Sequence, residues 1–431
     1  MHVFFSGIGG TGIGPLALIA HEAGFEVSGS DKQDSRYIHY LKEKGLTDIA
    51  TIQTYDHMSE VHADNPIDWL VYTSALPIEH PDAPEIQFAR DNNIRAGKRD
   101  DFLNMLLTEK QLRLIAIAGT HGKTTTTAMA IWVFKQLGIP VGYSVGAKIS
   151  FGDMGHYEPG SKYFVYEADE FDRNFLSFRP YLSIITGIDW DHPDIYPTRS
   201  SYNEAFHTFL GQSEKSILWQ GDVERLGISK SDQYSFLDEN DVEISNNVTL
   251  AGKVNRLDAW EVAQSLTEVT GKPLVELVEQ LNKFPGVSRR FEQIVPNLYS
   301  DYAHTPPKIL GALQLAHETA GENVVVVYEG LHNTRQHFIK EDLKSLFKGV
   351  KQLYVVPSYL AREDKNLSLL TPSDIKDLLD SESQAHTVAS ELDASLHEAI
   401  ANHLKDGDLV ICLTAGGGGS LDEWLRQEFQ S

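Results

Sequence analysis

The sequence is short of cysteine, of positive charge and of long apolar runs. Cys412 is the only cysteine in 431 residues. It excludes an internal disulfide and a cysteine-based metal centre, fits a reducing cytoplasm, and reads as a buried thiol. Against 61 acidic side chains stand 37 basic ones, a net charge of −24. That balance argues against nucleic acid and anionic membrane as general partners. It leaves room for a phosphate ligand, because a loop of backbone N–H groups needs only one or two local cations. No apolar stretch approaches the length of a membrane span, so no membrane insertion is expected. The opening Met1-His2-Val3-Phe4-Phe5-Ser6-Gly7 has neither the basic start nor the cleavage site of a signal peptide. What is present is ordinary globular material, 41% hydrophobic, in a chain long enough for about two to four domains.

The most informative stretch lies in the middle. Leu112–Ala118 is an apolar run that reads as a buried strand, and Gly119-Thr120-His121-Gly122-Lys123-Thr124-Thr125 follows it directly. A helical pattern comes next. Strand, glycine turn and helix in that order form a phosphate cradle: amides at the turn and helix N-terminus face the anion, Lys123 adds a full charge, and the Thr124 hydroxyl can sit on Mg²⁺. The spacing is not the full Walker pattern, since Ile117 stands where its first glycine would fall. The reading is an ATP triphosphate site.

The first segment carries its own glycine loop. The expected strand His2–Ser6 runs into Gly7-Ile8-Gly9-Gly10-Thr11-Gly12, a helix is expected over Pro15–Ala23, and the strand Glu26–Ser30 ends at Asp31. Alone this is the dinucleotide fingerprint of an NAD-dependent dehydrogenase, although the same geometry serves any diphosphate. Trp69–Ala75 reads as another strand with a polar turn after it, which puts Ser74 at a sheet edge. The first domain is expected to close near Leu107.

Past the phosphate loop, the strand ending in Glu167 sets a carboxylate at the sheet's C-terminal edge, a placement suited to a Mg²⁺ ligand. Asp169, Glu170 and Asp172 fit either a solvated acidic turn or the same site. Tyr181–Ile188 is a further strand, and His192 after it sits among Asp189, Asp191 and Asp194, a setting that draws a histidine towards metal or phosphate. Asn255 reads as the N-cap of a helix over Leu257–Leu266, with an amide that could also meet a base edge. Lys283–Glu292 reads as a hinge carrying Arg289 and Arg290, where an arginine suits a γ-phosphate. A third α/β segment follows, with Asp301 to Thr305 at the end of one strand and Ala415–Ser420, rich in glycine, after the last.

The motifs Gly119–Thr125, Glu167–Asp172, Asp191-His192, Gly286-Val287-Ser288-Arg289-Arg290-Phe291 and Asp301-Tyr302-Ala303-His304 together resemble the Mur ligases of peptidoglycan synthesis. The resemblance covers the chain from first strand to last helix. It implies an α/β fold of three domains: a UDP-sugar-binding Rossmann-like domain over 1–108, a central P-loop NTPase-like domain over 109–288 and a C-terminal Rossmann-like, amino-acid-binding domain over 289–431. It implies an ATP- and Mg²⁺-dependent ligase. The N-terminal glycines with Asp31 match the branch that joins L-alanine to the lactyl carboxylate of UDP-N-acetylmuramate, as does Ala361-Arg362-Glu363. Glu329 to Asn333 depart from that branch and lean towards the recycling relative that attaches a murein tripeptide. Thr305 replaces the second histidine of the Asp301 motif. No lysine follows His192 until Lys215, so no carbamylated lysine is expected.

Carried onto this chain, the resemblance assigns Lys123, Glu167, His192 and Arg290 to catalysis. Gly119, Thr120, His121, Gly122, Lys123, Thr124, Thr125, Asn255, Arg290 and Asp301 go to ATP. Gly9, Gly10, Thr11, Gly12, Asp31 and Ser74 go to the UDP-sugar, and Tyr302, His304 and Arg335 to the amino acid. Thr124, Glu167 and His192 go to Mg²⁺. A monomer or dimer is expected. The competing readings are a dehydrogenase, which leaves the Lys123 loop unexplained, and a non-catalytic nucleotide-binding protein.

Overall fold

A computed structural model describes the whole chain except residues 74, 75, 77–79, 81, 193, 194, 361, 362, 415–418 and 431. Ser74, the Ala361-Arg362 pair and most of the last glycine-rich turn therefore lie outside the described residues. Three sheets are present, each built on apolar runs that end in glycine or polar turns. The first holds β1 (His2–Ser6), β2 (Glu26–Ser30), β3 (Ile49–Ala50), β4 (Trp69–Tyr72) and β5 (Arg95–Lys98), in the order β3-β2-β1-β4-β5. All its pairings are parallel. The order reverses between β1 and β4, so the loop after β1 sits at the switch point, where ligands of open α/β sheets bind.

The second sheet holds β6 (Arg113–Ala118), β7 (Gly142–Ser144), β8 (Gly155–His156), β9 (Tyr163–Glu167), β10 (Leu182–Ile185), β11 (Lys215–Trp219) and β12 (Tyr234–Leu237). Its order is β12-β11-β10-β6-β9-β7-β8. β6 lies between β9 and β10, with Ile117 opposite Glu167 and Ala118 opposite Ile185. That register brings the phosphate loop, Glu167 and the segment after β10 to one edge. The third sheet holds β13 (Glu292–Val295), β14 (Leu298–Asp301), β15 (Val324–Leu331), β16 (Gln352–Tyr359), β17 (Thr387–Ala389) and β18 (Leu409–Leu413), in the order β13-β14-β18-β15-β16-β17.

By contacts the chain divides into two compact units. Met1–Val248 with Asp258–Phe284 forms one, and Thr249–Leu257 with Pro285–Ser431 the other. The first two sheets share a unit because side chains join them. Glu22 Oε2 accepts from Tyr157 N at 2.7 Å and meets His156 Nδ1 at 3.0 Å. Asp153 accepts from Lys44 Nζ at 2.9 Å and from the Tyr40 hydroxyl. A Cβ on Gly155 would press into the Pro15 backbone. Phe102, fully buried on the Arg99–Glu109 helix, meets Phe5, Phe25 and Trp69 edge-on at 5.4–5.7 Å between centroids, a geometry that adds to the area each ring buries.

Several boundaries differ from the sequence reading. The helix that carries Phe102 runs on to Glu109, two residues past Leu107. The helix expected from Leu257 starts at Lys253 and runs to Thr270. Asn255 is thus its third residue, not its N-cap, and its Nδ2 donates to Ala251 O at 2.9 Å. The polar run before Leu257 masked that first turn.

Candidate active site

The phosphate loop takes backbone angles that suit glycine. Gly119 has φ +144° and Gly122, just before the Lys123–Gln136 helix, φ +79°. Side chains from neighbouring segments hold the loop in place. Thr120 Oγ1 donates to Asp189 O at 2.5 Å and accepts from Asp189 N at 2.8 Å, and the Thr186 hydroxyl donates to His121 O. His121 Nε2 lies 3.4 Å from Asp189 Oδ2. These contacts leave a turn at a helix N-terminus, the arrangement in which backbone amides receive an anion.

Lys123 is bound inward. Its Nζ donates to Gly119 O at 2.6 Å and to Glu170 Oε2 at 2.5 Å, and Asp169 Oδ1 lies 3.9 Å away. Burial works against its charge, but Glu170, Asp169 and Glu167 outweigh it and raise its pKa. Glu170 is only 1% exposed, so it belongs to the site and not to a solvated turn. A carboxylate can be this deep because Lys123 pairs with it.

The Thr124 hydroxyl donates to Glu167 Oε1 at 2.7 Å, and Gly146 N donates to Glu167 Oε2 at 2.7 Å. A Cβ on Gly146 would stand 2.9 Å from that oxygen, so a larger residue would push the Glu167 carboxylate aside. His192, at φ +54°, sets Nε2 3.8 Å from both Glu170 Oε1 and Asp191 Oδ2. Its carboxylate neighbours are therefore Glu170 and Asp191, not Glu167. Among the described residues no three His, Cys, Asp or Glu side chains gather as a metal cluster. The donor set still fits Mg²⁺, which is held by one or two carboxylates with phosphate oxygens and water: Thr124 and Glu167 touch, and the buried Glu170 Oε1 accepts no hydrogen bond.

In the first sheet Asp31 closes the glycine loop. Its Oδ2 accepts from Gly9 N at 2.8 Å and its Oδ1 from Lys32 N at 2.7 Å. Gly10, Thr11 and Gly12 are exposed. Glu85, which sequence reasoning missed, is buried at the ends of β1 and β2 and accepts 2.5 Å bonds from the Ser6 and Ser30 hydroxyls. Nothing in its sequence setting, Ala83-Pro84-Glu85, marks it.

The second unit gathers the other assigned residues. Asp301 Oδ2 accepts from Phe291 N at 2.7 Å, and burial pushes its pKa up to about 6 against the pull of Arg290. Arg290 Nη1 donates to Tyr302 O at 3.2 Å. His304, 4.7 Å from the Tyr302 ring, donates from Nδ1 to Tyr302 O at 3.1 Å. Burial, then Lys308, Arg335 and Arg290, lower its pKa far below the usual imidazole value. It is a neutral imidazole in a cationic setting to which Lys308, not singled out in the sequence, contributes.

The departures at 329–334 have structural duties. Glu329 Oε1 accepts from Leu421 N at 2.9 Å, at the start of the Leu421–Phe429 helix. Asn333 binds Ser368 O and Leu370 N, and Thr334 N donates to Glu363 Oε2.

Comparison with known proteins agrees along the whole chain. Family models match residues 2–111 (Mur ligase family, catalytic domain), 117–249 (Mur ligase middle domain) and 289–416 (Mur ligase, glutamate ligase domain). The UDP-N-acetylmuramate–L-alanine ligase of Clostridium acetobutylicum is 30% identical, the match covering 96% of this chain and 95% of that one. The enzyme of the same name from Clostridium perfringens is 29% identical over 96% and 95%. Among solved structures, UDP-N-acetylmuramate–alanine ligase MurC of Thermotoga maritima has a TM-score of 0.73 at 24% identity, over 100% of this chain and 98% of that one. A murein peptide ligase of Psychrobacter arcticus has a TM-score of 0.64 at 21%, over 100% and 99%. A phosphate loop with its buried lysine, a threonine–glutamate pair beside it and three α/β sheets matched in order by three family models lead to one statement: this chain belongs to the Mur ligase family.

Proposed function

We propose that the protein is the ATP-dependent ligase that joins L-alanine to the lactyl carboxylate of UDP-N-acetylmuramate. The relatives similar over nearly its whole length carry that name, and the observation that carries the chemistry is the Lys123–Glu170 and Thr124–Glu167 pairing at the edge of the second sheet. A carboxylate is a poor acyl donor in water. Its oxygen attacks the γ-phosphorus of ATP, the bond to the β-phosphate breaks and ADP leaves. The alanine amine then attacks the acyl carbon, inorganic phosphate departs with one oxygen of the acid, and the amine sheds a proton. The protein has to hold two anions together and neutralise the phosphoryl oxygens.

Lys123 moves from Glu170 to the phosphates as they arrive, and the amides of 119–125 receive the remaining oxygens. Mg²⁺ neutralises phosphate charge; Thr124 and Glu167 are its proposed ligands, with His192 and Glu170 beside them. Asn255 and Asp301 serve the adenosine, Arg290 the γ-phosphoryl group, and Gly9 to Gly12 with Asp31 the UDP. Neutral His304, Tyr302 and Arg335 serve the amino acid, Arg335 through its carboxylate. The tripeptide reading loses the feature that favoured it, because Glu329 and Asn333 are engaged inside their own domain.

The test is ADP release with UDP-N-acetylmuramate against L-alanine, L-serine, glycine and a murein tripeptide. Release that needs both the sugar nucleotide and L-alanine is expected. Release with tripeptide alone, or none with any acceptor, would reject the proposal.

A further inference from the structure

A cavity of 160 Å³ opens between the first glycine loop and the Thr124–Glu167 pair, within the first unit. It is too small for a sugar nucleotide, which calls for several hundred Å³, but it takes one charged end of such a molecule. Gly12 lies on one side, and Ser144, Gly146, Tyr166, Glu167 and Asp169 on the other. The second wall is acidic. An anion that passes from the glycine loop towards Glu167 meets like charge at close range, which disfavours it unless a cation stands in the path.

Among the described residues that line the cavity, Arg99 is the only cation. It is the first residue of the Arg99–Glu109 helix, placed there because β5 ends one residue earlier, at the edge of the first sheet. Its guanidinium lies against the glycine loop, since a Cβ on Gly12 would sit 3.1 Å from Nη1. Its Nε is 3.4 Å from Asp100 Oδ1, an ion-pair distance with no hydrogen bond formed. Its Nη groups make no hydrogen bond to the described residues. A planar fork with donors to spare, between a diphosphate loop and an acidic wall, is the arrangement that grips a carboxylate with two parallel bonds.

We propose that Arg99 is the residue that selects the acid-bearing sugar nucleotide, binding its lactyl carboxylate in this cavity and carrying it past Glu167 and Asp169 to the phosphate loop. The assignment rests on the proposed activity and adds to it the group that reads the acid. A neutral sugar in the same position would leave Arg99 unused.

The experiment is calorimetric binding of UDP-N-acetylmuramate, UDP-N-acetylglucosamine and UDP to the intact protein and to Arg99→Gln and Arg99→Lys, with steady-state ADP release alongside. The second ligand keeps the nucleotide and the hexosamine but lacks the acid. Arg99→Gln is expected to weaken UDP-N-acetylmuramate roughly 10- to 100-fold, the range a charge-assisted pair supports, and to change the other two ligands less than about twofold. Its KM for UDP-N-acetylmuramate rises by the same factor, while the KM for ATP holds. Arg99→Lys recovers part of the loss. Equal weakening of all three ligands would move Arg99 to the diphosphate or to a purely structural role, and no weakening would remove it from the site; either result overturns the assignment. Wild-type protein that binds UDP-N-acetylglucosamine as tightly as UDP-N-acetylmuramate would instead reject the proposed activity, and this inference with it.

Discussion

Replacing Lys123 by methionine should unfold the protein more readily as well as silence it. Glu170 is 1% exposed and its charge is met by Lys123 Nζ at 2.5 Å. His192 Nε2, at 3.8 Å from Glu170 Oε1, is beyond hydrogen-bond distance and does not replace that contact. Removing one partner of a buried ion pair costs about 3–5 kcal/mol, because the other charge is left uncompensated. At about 2 °C per kcal/mol for a unit this large, the melting temperature should fall by roughly 6–10 °C. The double variant Lys123→Met/Glu170→Gln removes the stranded charge and should regain most of the loss, while ADP release stays absent in both. Thermal unfolding by circular dichroism, with ADP release on the same samples, reads both quantities. A single variant within about 2 °C of wild type, or a double variant no more stable than the single one, would refute the view that Glu170 depends on Lys123.

Thr124→Val keeps the shape of the buried side chain but removes the hydroxyl that meets Glu167; it should lower the rate of ADP release by about 10²–10³-fold, as loss of one organised polar contact to the reacting groups does. UDP-sugar binding should be unchanged, and calorimetry checks it. Asp301 gives a pH test. Its carboxyl titrates at about 6 in the folded protein against 3.8 ordinarily. The folded state therefore binds the extra proton between those values, and this residue's contribution to stability falls as pH rises from 4 to 6. Urea unfolding across that range should show a stability difference between wild type and Asp301→Asn that shifts in the variant's favour as pH rises; a constant difference would contradict the buried acid.

The parts of the fold that were legible are those where an apolar run stops at a glycine turn. β1 ends where its apolar run meets Gly7, and the Lys123 loop stands out because an apolar strand, a glycine turn, a lysine and a helix follow in that order. Legibility failed where a residue's role depends on distant neighbours. Glu170 sits in a run of acids that fits a solvated turn as well as a site, and the buried Lys123 decides between them by making its depth tolerable. Arg99 lies within the charged run Lys98-Arg99-Asp100-Asp101 and Glu85 follows a proline; a glycine loop and two serines far away in sequence make them notable. The first turn of the Lys253–Thr270 helix was missed because its exposed face is polar and carries no apolar period. Glu329 and Asn333 mark the departure from the L-alanine branch, yet their partners are a helix start and a distant loop.

The most direct measurement is a structure of the protein with a non-hydrolysable ATP analogue and Mg²⁺. The triphosphate is expected on the amides of residues 119–125, with Lys123 withdrawn from Glu170 onto the phosphates and the ion against Thr124 and Glu167. An analogue seated on Gly7 to Gly12, with Lys123 still paired to Glu170, would contradict it.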